Sequence, residues 1–141
     1  MKKIAIFFIA LLSLGLTTSS CSDDENTSIV GKWIFSQEGF AVEGGQEVLE
    51  PYQHTTGCNQ DYFEFTAEGV VKNENYFNEG AGCESDLSMG TYLKSDNSLT
   101  LTISGETVNA TIITLNSSTL KIKVTVVEGA ETVSYITVFG R

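Results

Sequence analysis

Leu99, Leu101 and Ile103 alternate with Thr100 and Thr102, and Leu120, Ile122, Val124 and Val126 alternate with Lys121, Lys123 and Thr125. Successive side chains of a strand point to opposite faces, so this period of two describes strands with one buried and one wet face. No window carries apolar residues at helical spacing. Turn-forming residues punctuate the pattern at Ala67-Glu68-Gly69, Ser95-Asp96-Asn97, Ser104-Gly105, Asn116-Ser117-Ser118 and Glu128-Gly129. Cutting there predicts eight strands, over 29–37, 60–66, 70–77, 87–94, 99–104, 107–115, 119–127 and 131–139. Most linkers between them hold two to four residues, which joins antiparallel neighbours and is too short for a parallel return. Eight antiparallel neighbours in sequence form a meander, and closing it pairs its two free edges. The expectation is one all-β domain over 29–141, a small eight-stranded antiparallel up-and-down barrel. An open sandwich of the same strands is the alternative the pattern leaves.

The longest irregular stretch, Glu38 to Asn59, contains Gly39, Gly44, Gly45, the only Pro (Pro51) and the only His (His54). In a barrel it is expected to lie across one open end, as a lid over a cavity or as a plug that shields the core.

The chain begins Met1-Lys2-Lys3, continues almost wholly apolar from Ile4 to Leu16, and turns to small residues before Cys21. An apolar run of 13 residues falls short of the roughly 20 a membrane span needs. Residues 1–20 therefore read as an export signal to be removed. Cys21 behind small residues resembles a lipobox, with Thr18 where Leu is usual three positions earlier. That resemblance implies lipidation of Cys21 by acyl chains of the palmitate kind and an outer-membrane lipoprotein. Residues 21–28, beginning Cys21-Ser22-Asp23-Asp24-Glu25, have too little apolar side chain to bury and are expected to be a tether. The acidic start resembles the export tags of Bacteroidetes surface lipoproteins, which implies cell-surface exposure.

With Cys21 assigned to lipid, Cys58 and Cys83 are left in an oxidising compartment and are expected to pair. The whole chain has 8 Lys+Arg against 18 Asp+Glu, and loss of Lys2 and Lys3 with the signal makes the mature domain more acidic still. Such a charge repels phosphate backbones, which excludes nucleic acid as a partner. It also leaves the anchor, not the domain surface, to hold the protein at a membrane.

Gly31-Lys32-Trp33 at the head of the first expected strand is similar to the G-x-W signature of lipocalins. The order Ile29-Val30-Gly31-Lys32-Trp33, Cys58, Tyr62-Phe63-Glu64-Phe65, Glu68-Gly69, Cys83, Gly90-Thr91-Tyr92 and Leu99-Thr100-Leu101-Thr102 resembles the short lipocalin-like lipoproteins of Bacteroidetes over nearly all of 29–141. The resemblance implies an eight-stranded barrel in which Trp33 packs across the closed end and Arg141, after the last strand, covers it. It also implies a cup for a small apolar ligand, narrowed by inward candidates such as Phe35, Phe63, Phe65 and Tyr135.

Catalytic signatures are missing from the sequence: it has no G-x-S-x-G, no H-E-x-x-H and no phosphate-binding loop, and Gly80-Ala81-Gly82 reads as a loop. A lone His in a loop, His54, is expected to be an exposed side chain. Glu74, Glu79, Glu84 and Asp86 concentrate near the cysteines without a calcium-loop spacing and read as solvated surface, so no metal or cofactor is expected. The expected function is non-enzymatic. A barrel that binds a small apolar ligand is the first reading, and a filled barrel that serves as an envelope interaction module is the second.

Overall fold

A computed structural model describes residues 27–141. The expected signal, Cys21 and most of the tether lie outside the described residues. The described chain forms nine antiparallel strands: β1 Gly31–Val42, β2 Val48–Pro51, β3 Tyr62–Phe65, β4 Val70–Asn78, β5 Cys83–Ser95, β6 Ser98–Ile103, β7 Glu106–Leu115, β8 Thr119–Glu128 and β9 Glu131–Gly140. From β3 to β9 each strand pairs with the next, and β1 pairs with both β3 and β9. Eight strands therefore close into a barrel, with β2 added on the edge of β1. Closure rules out the open sandwich, because neither end of the meander is left unpaired.

Local chemistry fixes the hairpins. Ser104 and Gly105 both have positive φ, 53° and 83°, the backbone a two-residue turn needs to follow the twist of its flanking strands. At the β7–β8 turn, Asn116 Oδ1 accepts hydrogen bonds from the amides of Ser118 and Thr119, so the side chain stands in for a missing strand partner.

The core lies at one end. Trp33 near the start of β1, Phe65 at the end of β3, Val71 in β4, Leu99 in β6, Leu120 in β8 and Phe139 in β9 are all fully buried. An up-and-down meander brings the starts of β1, β4, β6 and β8 and the ends of β3 and β9 to the same rim, so the inward residues there stack into one solid base.

The stretch from Glu38 to Asn59 departs from expectation, because it lies neither over the mouth as a lid nor in it as a plug. β1 runs on to Val42, turns at residues 43–47 and returns as β2. The physical reason is an unfilled edge. β3 pairs with β1 only from Gly31 to Ile34, and β2 takes the same edge from Gln37 to Phe40, where free N–H and C=O groups would otherwise be left over. A bulge between Phe35 and Gln37 shifts the alternation, so that register with β9 puts Phe40 and Tyr135 on one face beyond it.

Candidate ligand cavity and the closed end of the barrel

The base is closed by a short stack of residues at the two ends of the described chain. The Trp33 indole N–H donates to the Ile29 carbonyl at 2.7 Å, drawing the segment before β1 across the barrel's end, where Ile29 is itself buried. The Arg141 guanidinium lies 3.9 Å from the Trp33 ring centre. It also donates to the carbonyls of Val30 at 3.0 Å and Ser117 at 3.0 Å, tying Arg141 to the segment just before β1 and to the β7–β8 turn. Gly31 makes the approach possible. Its φ is +126°, and a Cβ there would stand 2.9 Å from Arg141 Nη1, so a side chain meets both backbone strain and the guanidinium.

Above β3 the wall is completed by residues 52–61. On one side the Tyr52 amide donates to Ser36 O and the His54 ring meets Phe35 O through Nε2 at 2.8 Å. On the other, Thr55 Oγ1 donates to Tyr76 O and Asp61 Oδ1 accepts from the Tyr76 amide. The Asp61 amide donates to His54 Nδ1 at 3.1 Å, and Tyr52 donates its hydroxyl to Asp61 Oδ2 at 2.7 Å. The segment thus bridges β1 and β4 where no strand lies between them. Cys58 and Cys83 are joined, with Cα atoms 5.5 Å apart, which fastens this bridge to the start of β5. Both nitrogens of His54 are engaged and the ring is half-buried. It is a piece of wall rather than the exposed side chain expected. With Nδ1 accepting from an amide, Nε2 is the ring's donor to the Phe35 carbonyl. Burial, and then the bond to Asp61, push the Tyr52 phenol well above its ordinary range. Sequence reasoning missed Asp61, which is buried, since nothing in its neighbourhood sets it apart from the other acids.

The surface acids singled out in the sequence do not gather into a site. Glu74 accepts the Tyr62 hydroxyl, and this bond holds its carboxyl below the usual range. Among the described residues no group of three or more His, Cys, Asp or Glu side chains converges.

Between the base and the mouth the barrel holds an open-mouthed cavity of about 410 Å³. Phe35, Phe63 and Phe139 form its floor, with Phe35 and Phe63 each packed on Phe139 at ring separations of 4.7 and 5.5 Å. Leu101, Ile103 and Val108 line one side and Ile122 and Val124 the other. The β6–β7 hairpin is the low point of the rim, since β6 has only six residues, and Ser104 and Glu106 at its turn border the cavity. Of the inward candidates, Phe35 and Phe63 line the cavity, Phe65 belongs to the base, and Tyr135 stands half-exposed toward the rim. Asn73 also borders the cavity, but its Oδ1 is out of solvent rather than on the cavity surface and accepts no hydrogen bond from the described residues. Burying a carbonyl oxygen unpaired costs about 1–3 kcal/mol.

The geometry agrees with what is known of similar proteins. A lipocalin-like protein from Bacteroides uniformis superposes with a TM-score of 0.50 at 14% identity, over 76% of this chain and 94% of the other. An uncharacterized protein from Bacteroides eggerthii gives 0.51 at 12% identity, over 81% of this chain and the whole of the other. No curated protein matches the chain. The family model for the lipocalin-like domain matches residues 29–122, from the buried Ile29 to Ile122 in β8. With a barrel closed by Trp33 under Arg141 and a hollow above it, the chain belongs to the lipocalin-like domain family.

Proposed function

We propose that this is a non-enzymatic binding protein of the outer membrane, anchored through lipid on Cys21, whose barrel holds a small, mostly apolar molecule. The observation that carries the reading is the cavity of about 410 Å³ over a solid base. Ligand sites begin at roughly 300 Å³, so the interior has room that a filled interaction barrel would not keep. Its lining is dominated by aromatic and aliphatic side chains, which suits transfer of apolar surface out of water. A non-catalytic role is supported by His54, the sole imidazole of the sequence, being committed to backbone bonds in the wall. The described chain enters the barrel at its closed end, through Ile29 and Val30. An anchor on the N-terminal side therefore attaches at the face opposite the mouth, which favours access from outside the membrane.

Native mass spectrometry of the protein taken from its own membrane tests both halves. The expected result is a mature chain beginning at an acylated Cys21, carrying a small molecule released on mild activation. A chain that retains residues 1–20 without acylation would overturn the anchor. A chain that is always empty, and stays empty when offered small aromatic and aliphatic compounds, would overturn the binding role.

A further inference from the structure

We propose that the β6–β7 hairpin is a flap on the side of the barrel, which stands off β8 and pairs with it once a ligand is seated; this rests on the binding role proposed above. β7 pairs with β6 from Glu106 to Thr111, but with β8 only from Thr111 to Leu115. β8 runs on to Glu128 and pairs with β9 throughout. Residues 106–110 and 124–128 therefore border a slit in the wall, two strand edges facing each other with no ladder between them. The edges match. Ile112 donates its amide to the Asn97 carbonyl at the head of β6, and in an antiparallel sheet the backbone groups of alternate residues face alternate neighbours. Asn109 thus turns its amide and carbonyl toward β8, and Thr125 turns its own toward β7. Continuing the register of Thr111 with Lys123 sets Asn109 opposite Thr125, so closing the slit adds a hydrogen-bonded pair without a shift of either strand.

The slit opens onto the cavity. Ile103, Ser104, Glu106 and Val108 line it from the hairpin, and Ile122 and Val124 from β8, so a ligand seated there touches both edges. Val108 is an inward residue and yet 38% exposed, and closure covers it by setting it opposite Val126. A ligand shifts such an equilibrium only by binding one arrangement better, and the closed one offers it a length of wall that the open one lacks. A hinge is in place, because the bulge between Ile112 and Thr114 lets the strand bend just below the slit. Charge holds the edges apart. The continued register would put Glu106 directly opposite Glu128, which already faces Glu131 on its other side, and like charges opposite one another destabilise a sheet. Closure therefore stops at Val108 and Val126 and leaves the tips splayed.

Nuclear magnetic resonance of the full chain with N-phenyl-1-naphthylamine, a neutral apolar fluorophore, tests this. In the continued register Val108 and Val126 form a non-hydrogen-bonded pair, with Cα atoms about 4.5 Å apart when paired, so closure brings their Hα atoms into contact. The expected result is a cross-strand Hα–Hα contact between them that appears on adding the probe, together with roughly tenfold slower exchange of the Asn109 and Thr125 amides. Glu106→Gln should show part of that contact before the probe is added and bind the probe up to about fivefold more tightly, the worth of relieving one like-charged pair in a sheet. The probe is uncharged, so direct attraction to the rim does not produce that gain. Probe bound without the Val108–Val126 contact, a contact already at full strength without the probe, or no tighter binding by Glu106→Gln would each overturn the flap and leave the binding role standing. Failure of the folded wild type to bind this probe or any other small apolar compound would instead remove the binding role, and the flap with it.

Discussion

Gly31 answers to two constraints at once, and they can be separated. Its φ of +126° lies where other residues are strained, at about 1–3 kcal/mol, and its bare Cα leaves space for the Arg141 guanidinium. Gly31→Ala should therefore destabilise the wild type by more than it destabilises Arg141→Ala, where only the backbone part remains. A double-mutant cycle read by urea unfolding measures that difference, and strictly additive costs would mean that Arg141 does not sit over the base in solution. Trp33→Ala should cost about 3–5 kcal/mol, since it empties the centre of the base. These three residues were legible in the sequence through likeness to a family, because a G-x-W triplet and a terminal Arg carry no physical statement of contact. Asn73 and Asp61 were not legible. Whether an Asn in an alternating strand faces water or a hollow depends on a register that tertiary pairing sets.

At the level of elements, most of the hairpin turns announced themselves, and the strands they bound fall within a few residues of the expected ones. The exceptions are where pairing depends on a distant edge. β1 outruns its pattern to reach Val42, and β5 starts at Cys83 rather than near residue 87. In β1 the continuation pairs with β9, a partner that local periodicity cannot see. The bridge over residues 52–61 is the clearest case, because its order comes from contacts to β1 and β4 and from a covalent tie. Removing that tie with Cys58→Ser and Cys83→Ser together should cost about 3.5 kcal/mol by chain entropy for a separation of 25 residues, measured as a shift in the urea midpoint. The same bridge gives a pH signature. Tyr52 has its phenol raised above an ordinary value of 10.0, so folding favours its protonated form. That contribution is intact below about pH 10, where the unfolded phenol is also protonated, and is lost as pH rises further. Tyr62, raised to about 12 chiefly by its bond to Glu74, adds to the loss in the same window. Tyr52→Phe should therefore show a shallower, not a flat, alkaline decline in stability. A decline parallel to wild type would mean the Tyr52 hydroxyl does not bond Asp61.

Across the whole molecule, burial is unequal from end to end, and this asymmetry sets where the domain can yield. Trp33, Phe65, Leu99, Leu120 and Phe139 are sealed at the base, while Phe40, Val48 and Tyr135 are about half exposed and Val127 is 74% exposed. Amides with few buried apolar neighbours open locally, whereas those of the core exchange only through global unfolding. Hydrogen exchange should thus be slowest at the base, around Leu99, Leu120 and Phe139, and fast at the β8–β9 tip from Val127 to Thr132. Ligand binding gives this gradient a second use. A compound present at a hundred times its dissociation constant stabilises the native state by about 2.7 kcal/mol, so amides that exchange by global unfolding slow by about a hundredfold. Opening of the β8–β9 tip leaves the cavity wall at Ile122 and Thr137 paired, so amides at the tip should keep their rates. A small aromatic compound bound in the barrel is then expected to slow exchange at Leu99 and Leu120, which do not line the cavity, and to spare the exposed tip. Slowing confined to the tip would place the compound on the outside of the rim and remove it from the barrel.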